Sequence, residues 1–144
     1  MRGILAAAAM FLAAPSLAAP PPGAAAAVDA FHAALHRGDA RSAALLISED
    51  ALVFEEGQAE RSKREYEAEH LAADAEFSRA VSTQITRRTG GGSGMLAWVA
   101  TEGRTTGTFR GKAVDRRATE TMVLRRAGRA WKIVHIHWSS AAAH

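Results

Sequence analysis

The feature that most constrains the fold is the last hydrophobic run of the chain, residues 130–140, with the sequence AWKIVHIHWSS. β-Branched and aromatic residues recur in it with a period of two, which predicts a β-strand. Because successive side chains of a strand point to opposite faces, the run divides into two sets. One face would carry Trp131, Ile133, His135 and His137, and the other Lys132, Val134, Ile136 and Trp138. Both faces are largely apolar, which predicts a central strand covered on both sides.

The first 18 residues have the pattern of a secretory signal peptide. A positive charge at Arg2 precedes an apolar run from Ile4 to Ala14, and Ser16 and Ala18 follow in an A-x-A-like arrangement. The apolar run is too short to span a bilayer as a helix. We therefore expect cleavage after Ala18 and a periplasmic or secreted product.

Cleavage would leave a linker at 19–26 and one domain at 27–140. The alternative is a retained membrane anchor, which Pro15 and the prolines at 20–22 disfavour because proline breaks a helix. The rest of the sequence has no apolar segment long enough to cross a membrane. We expect no stable membrane attachment of the mature chain.

The charge balance and the absence of cysteine exclude several functions. The chain has 18 lysines and arginines, 15 aspartates and glutamates, and a formal net charge of +3. Its arginines are spread along the sequence, and pairs such as Arg116 and Arg117 put one side chain on each face of a strand. No basic stripe for nucleic acid is formed. Without cysteine there is no disulfide, thiol nucleophile or thiolate metal site, so the core or oligomerisation must stabilise the fold.

The first part of the domain has a helical pattern. Val28, Phe31 and Leu35 recur at helical spacing and predict a helix packed by this face. His32 and His36 lie one turn apart beside the apolar stripe, where they could form a metal pair. A solvated flank fits better, because the sequence offers no nearby carboxylate or third ligand.

A second helix, a short strand and a third helix follow. Asp39 is a suitable N-cap for the second helix, and a short strand is predicted at 51–54. Ser62 followed by Glu65 is a capping-box pattern that opens the third helix.

From Phe77 onward the pattern is that of strands. The glycine-rich segment 90–94 is predicted to be a loop that turns the chain. Strands are expected at 77–89, 95–102, 105–110, 113–126 and 130–140. Helices first and antiparallel strands afterwards indicate an α+β fold, in which the helices cover one face of a curved sheet.

With this order of elements, the chain resembles the nuclear transport factor 2-like superfamily, in particular its SnoaL-like and DUF4440 branches. The resemblance is carried by VFEEG at 53–57, YEAEHL at 66–71 and GRAWKIVHIHWSS at 128–140. The last segment is also similar to the ending of the calcium/calmodulin-dependent kinase association domain. The resemblance implies a cone-shaped, cystatin-like domain with a pocket between sheet and helices, and a homodimer paired through the outer sheet face.

A pocket of this kind implies a set of polar ligand-binding residues, namely Glu55, Tyr66, His70, His135 and His137. Tyr66 and His70 are one turn apart on the third helix. The alternative is that the histidines are hydrogen-bonded sheet residues and that the tyrosine hydroxyl is satisfied within the core. Two histidines and a carboxylate could hold a divalent metal. Because their spacing matches no closed motif, we expect no metal and no cofactor.

Glu120 would join the histidines if the last two strands are connected by a two-residue loop at Ala127 and Gly128. Glu120 then faces His135, and with His137 beside them this pair would be a catalytic general acid/base arrangement. A three-residue loop would shift the register by one and place threonines opposite the histidines.

The resemblance leaves the activity open, because the family includes isomerases, dehydratases, cyclases, ligand-binding proteins and assembly modules. The chain has one tyrosine and no aspartate in its hydrophobic strand segments, so no catalytic set of the family carries over residue by residue. We expect an unidentified small organic molecule bound in the cone. The alternatives are an isomerase, dehydratase or hydrolase with His135 or His137 as general base, and a ligand-free assembly module.

Overall fold

The computed structural model describes residues 19–143, so the predicted signal peptide lies outside the described residues. The helices are α1 (Pro22–His36), α2 (Ala40–Ala44), α3 (Lys63–Glu69) and α4 (Leu71–Ala80). The strands are β1 (Ile47–Glu55), β2 (Gln58–Glu60), β3 (Val81–Ser93), β4 (Leu96–Phe109), β5 (Lys112–Ala127) and β6 (Ala130–Ala142).

The six strands form one sheet in the order β2, β1, β6, β5, β4, β3. β6 runs parallel to β1, and every other neighbouring pair is antiparallel. The helices pack on one face, where residues of α1 to α4 and of the sheet share a single hydrophobic core. The predicted α+β architecture is confirmed. Within residues 19–143, no helix combines the length and the apolar character needed to cross a membrane.

Helix positions follow their local signals. Backbone N–H of Ser42 donates to the Asp39 side chain (3.0 Å) at the start of α2, and that of Glu65 donates to Ser62 (3.2 Å) at the start of α3. α1 begins at Pro22, inside the predicted linker, because proline suits the first position of a helix.

The predicted start of the first long strand at Phe77 is wrong. α4 continues to Ala80, and β3 begins at Val81. Phe77 and Val81 are four residues apart, a spacing that fits a helix as well as a strand. The ring of Phe77 packs on that of Phe109, with 5.2 Å between centroids.

The glycine run is part of β3 and not the predicted loop. β3 continues to Ser93, and the turn that follows comprises Gly94 and Met95. A Cβ at Gly90 would lie 2.4 Å from Cβ of Pro20 and 2.6 Å from the backbone oxygen of Trp98. Glycine is therefore required here by the close approach of neighbouring segments.

β6 lies between β1 and β5, which confirms the predicted central strand. A β-bulge interrupts it, since Leu124 pairs with Ile133 while the preceding Val123 pairs with His135. Val134 is the extra residue, and every side chain after it points to the face opposite the predicted one. Ile133 and Ile136 are consequently both fully buried on the helix side.

The bulge and the loop together change the predicted partner of Glu120. Ala127 pairs with Ala130, so the hairpin loop is Gly128 and Arg129, with Gly128 at a φ of +61°. The ladder beyond the bulge then places Glu120 opposite Trp138. The predicted pairing of Glu120 with His135 is wrong, because a loop that lies one residue later moves each partner by two residues and the bulge moves it by one more.

The bulge predicts an unusual pattern of stability changes along β6. Ile133→Ala and Ile136→Ala should each destabilise the domain by about 2–5 kcal/mol, because both remove buried methyl groups. His137→Ala, at an exposed position of the same strand, should change stability by less than about 0.5 kcal/mol. Urea unfolding of the three variants provides the test. A small effect of either isoleucine substitution would contradict the bulged register, since an unbulged strand puts these two side chains on opposite faces.

Candidate functional site

A cavity of about 660 Å³ lies between α1, α4 and the inner face of the sheet. Its walls include large apolar side chains, namely Leu35, Phe77, Val81, Ile85 and Phe109. The size is that of pockets which enclose small organic molecules. Polar side chains are concentrated on its floor and along one flank of α1.

The floor of the cavity is a row of inner-facing residues at one level of the sheet. In register, each residue lies opposite the next on the neighbouring strand. The row, which we call the floor row, consists of Glu55 (β1), Trp138 (β6), Glu120 (β5), Thr101 (β4) and Arg88 (β3), all of which line the cavity. Two carboxylates thus flank one indole ring.

Glu120 is the buried carboxylate at the centre of the floor row, with 8% of its surface exposed. Its Oε2 accepts a hydrogen bond from the indole N–H of Trp138 (2.7 Å) and lies 2.7 Å from Nε2 of His32. Its Oε1 has no hydrogen-bond partner among the described residues. Leaving a buried acceptor unsatisfied costs stability. A donor on a bound molecule or a water would remove this cost.

Glu55 is the carboxylate best suited to exchange a proton near neutral pH. Burial raises its pKa to about 7, and the negative charges of Asp74 and Glu56 add to the rise. Burial also raises the pKa of Asp74, and the hydrogen bond from Tyr66 offsets part of this rise. A carboxyl group with a pKa near the working pH is present in both protonation states and can act as acid or base.

Tyr66 is connected to the cavity through Asp74. Its side chain is fully buried, and its hydroxyl donates to Oδ2 of Asp74 at 2.6 Å. Burial and the neighbouring Asp74 raise the pKa of Tyr66 well above its usual value, so the hydroxyl keeps its proton. The hydroxyl of Tyr66 thereby orients Asp74, which lines the cavity.

His70 does not line the cavity and contacts the buried carboxylate of Glu60. Among the described residues, Glu60, Glu69 and His70 form a group whose ligand atoms lie within 4.8 Å of one another. One imidazole and two carboxylates are donors that a divalent metal accepts. None of the three lines the cavity.

His135 and His137 are on the outer face of the sheet. Nδ1 of His135 lies 3.1 Å from the backbone oxygen of Leu52. Both rings pack edge-on against Phe54, with centroids 5.1 and 6.3 Å away. Their expected convergence on the pocket is wrong, because the bulge at Val134 turns them outward. Whether either histidine binds a ligand or acts in catalysis stays a prediction.

Of the sequence-predicted site residues, the structure places Glu55 and Glu120 in the cavity and Tyr66 one hydrogen bond away. Local sequence patterns do not reveal the role of His32, which contacts Glu120 and does not lie on a purely solvated flank. Asp74 and Trp138 also line the cavity without having been predicted as site residues. A signal for His32 is present in the sequence. Asp29, His32 and His36 are spaced so that they share one flank of α1, and all three line the cavity.

The family model for the SnoaL-like domain matches residues 24–143. A candidate ketosteroid isomerase from Shewanella frigidimarina NCIMB 400 is 30% identical, with 81% of this chain and 94% of that chain covered and a TM-score of 0.77. No curated protein matches the chain.

Two further solved structures are similar in fold. A candidate dehydratase of the NTF2-like family from Streptomyces avermitilis is 20% identical, with 84% of this chain and 95% of that chain covered and a TM-score of 0.69. The association domain of C. elegans CaMKII is 20% identical, with 80% and 91% covered and a TM-score of 0.63. At this identity the likeness shows the fold alone. The predicted NTF2-like and SnoaL-like membership is confirmed.

The raised pKa of Glu55 predicts how stability depends on pH. Between pH 4.5 and about 7 the native state keeps a proton that the unfolded chain releases, so stability falls as pH rises through this window. The unfolding free energy of the wild type should be higher at pH 5 than at pH 8. Glu55→Gln should make this difference smaller by about 1–2 kcal/mol, after allowance for the partial exposure of Glu55. Urea unfolding at both pH values measures it. The matched control Glu102→Gln lies outside the cavity and should retain the wild-type difference; an unchanged difference in Glu55→Gln would contradict the prediction.

Proposed function

The chain belongs to the SnoaL-like domain family, and we propose that it binds a small, largely apolar organic molecule in the cavity between its helices and its sheet. The observation that carries this proposal is a cavity of about 660 Å³ with apolar walls and a polar floor row. The unsatisfied Oε1 of buried Glu120 supports it, because a bound molecule with a hydrogen-bond donor would complete that carboxylate.

Proton transfer to or from the bound molecule is the second candidate function. It is favoured by the pKa of about 7 of Glu55, which puts a general acid/base at the cavity wall. The negative charge of Asp74, which accepts a hydrogen bond from Tyr66, adds to the rise in the pKa of Glu55. The structure that is 30% identical to this chain is that of a candidate ketosteroid isomerase. We assign this role to Glu55 in preference to His135 and His137, which face away from the cavity.

The mature protein is proposed to be an exported homodimer. Export is supported by the signal-peptide pattern of residues 1–18. The dimer is supported by four large apolar side chains exposed on the outer sheet face: Leu52 at 39%, Phe54 at 38%, Leu96 at 51% and Trp98 at 43%. Contiguous apolar surface of this kind marks interaction sites. A second copy is the occupant we propose, because one self-complementary face suffices for a two-fold dimer.

Filling the cavity tests the binding function. Ala118 lines the cavity on the inner face of β5, and Ala118→Phe should weaken binding of any cavity ligand at least tenfold because the ring occupies its space. The measurement is calorimetric titration with small organic molecules that raise the unfolding midpoint of the wild type. Ala113→Phe, on the exposed end of the same strand, is the matched control and should bind as the wild type does. Equal binding by both variants would place the ligand elsewhere.

The dimer has its own test. Trp98→Glu should shift the protein from dimer to monomer at micromolar concentration, because it puts a charge into the proposed interface. Leu45→Glu makes the same kind of change at an exposed residue outside the sheet and should leave the dimer intact. Sedimentation equilibrium distinguishes the two masses. A monomeric wild type would remove the proposal.

A further inference from the structure

Some carboxylates that line the cavity form ion pairs with basic side chains, and others do not. Each arginine that lines the cavity already has a carboxylate partner. Arg88 donates to Asp29 at 2.7 Å, and Nη1 of Arg116 lies 3.9 Å from Oε1 of Glu56. Cationic groups of the cavity are therefore largely neutralised by the protein itself.

Glu55 and Asp74 are the carboxylates left over. Within residues 19–143 neither lies within ion-pair distance of a lysine, arginine or histidine. Each is close enough to Glu60 and His70 to interact with their charges, and Glu55 also interacts with Asp74 and Glu56. Several acidic groups thus lie in or beside this end of the cavity, and its basic neighbours are His70 near Glu55 and Asp74, and His32 beside Glu120.

A separate observation at the same end points to a ligand with hydrogen-bond donors. Glu120 is more than nine-tenths buried and lines the cavity, yet its Oε1 has no partner among the described residues. Trp138 connects the two features, because it lies opposite Glu55 on one side and Glu120 on the other. Its ring also packs near Tyr66, the hydrogen-bond partner of Asp74, at 6.3 Å between centroids.

We propose that the ligand of this cavity carries a protonated amine, which lies at the end formed by Glu55, Asp74, Glu120 and Trp138, on an apolar body that fills the remaining space. This rests on the proposed binding function and specifies its ligand class. An ammonium group has three donors and a positive charge. It would supply the cation that Glu55 and Asp74 lack, it could donate to Oε1 of Glu120, and it is attracted by an indole ring.

The walls define the other part of the ligand. Phe77, Phe109 and Ile85 line the cavity away from these carboxylates and offer aromatic and aliphatic surface. A compact aromatic or aliphatic amine fits both the carboxylate end and the apolar walls of the cavity. A carboxylic acid would meet the repulsion of the unpaired carboxylates, and a neutral alcohol would gain the apolar contacts without the ionic ones.

The experiment compares three probes of similar size by isothermal titration calorimetry on the mature chain: 2-phenylethylamine, 2-phenylethanol and phenylacetate. At pH 8 the amine should bind at least tenfold more tightly than the alcohol, and phenylacetate most weakly. Aliphatic amines stay protonated up to about pH 10, so lowering the pH to 5.5 changes the protein and not the probe. As Glu55 takes up its proton, the amine should lose about tenfold in affinity, while the alcohol should be unaffected.

The groups that face Glu55 set the sign of this pH effect. They are Asp74 on α4, Tyr66 on α3, Glu56 beside it on the chain, Glu60 on β2, and His70 between α3 and α4. Glu55→Gln isolates the contribution of this carboxylate: at pH 8 it should lower amine affinity about tenfold and change alcohol affinity less than twofold. Glu102→Gln, on the outer side, should leave both affinities at wild-type values.

Each result decides the proposal. Tighter binding of the amine that depends on Glu55 and on pH supports it. An alcohol or phenylacetate that binds as tightly as the amine overturns the ligand class and leaves the binding function in place. An amine preference that persists in Glu55→Gln overturns the location. Absence of binding by all three probes overturns both the ligand class and the proposed binding function. The pH series on the wild type keeps the proposal testable if Glu55→Gln fails to fold.

Discussion

The burial of Ile133 and Ile136 on one face of the central strand is the constraint on which the arrangement depends. Two residues three apart in a regular strand would face opposite sides, so β6 accommodates both by the bulge at Val134. Packing of these two side chains with the helices then determines which face of the sheet each residue after the bulge occupies. Trp138 enters the cavity, and the histidines face outward. The loss of ladder pairing at one residue is small beside the apolar area that two buried isoleucines remove from water.

Once Trp138 points inward, the register of four neighbouring strands aligns the floor row beneath α1. Its chemistry comes from crowding acidic groups in a partly desolvated space. Charges that repel each other and are withdrawn from water hold protons more tightly, which explains the raised pKa values of Glu55 and Asp74. The fold tolerates this cost because the core around Tyr66 and Phe31 is fully buried. The same crowding that destabilises the domain underlies the proton transfer and the cation binding proposed for the cavity.

The two faces of β6 therefore serve different purposes. The inner face supplies the core and one wall of the cavity, while the outer face places His135 and His137 among exposed apolar side chains of β1 and β4. In register, His135 lies between Leu52 and Val123, and Trp98 lies beyond Val123. These histidines are part of the surface that a second copy would cover in the proposed dimer.

The sequence by itself determined the helix starts at Asp39 and Ser62, the α+β order and the central place of the last strand, because caps and periodicities are local and a strand with two apolar faces favours a central position. It also identified Glu55 and Glu120 as polar groups near the pocket. Only the tertiary structure decided which face each residue of β6 occupies, and with it the pairing of Glu120 with Trp138 and the approach of His32. The physical reason is that register depends on packing between segments distant in sequence. A single extra residue in a strand reverses every side chain after it, and no local pattern records where that residue lies.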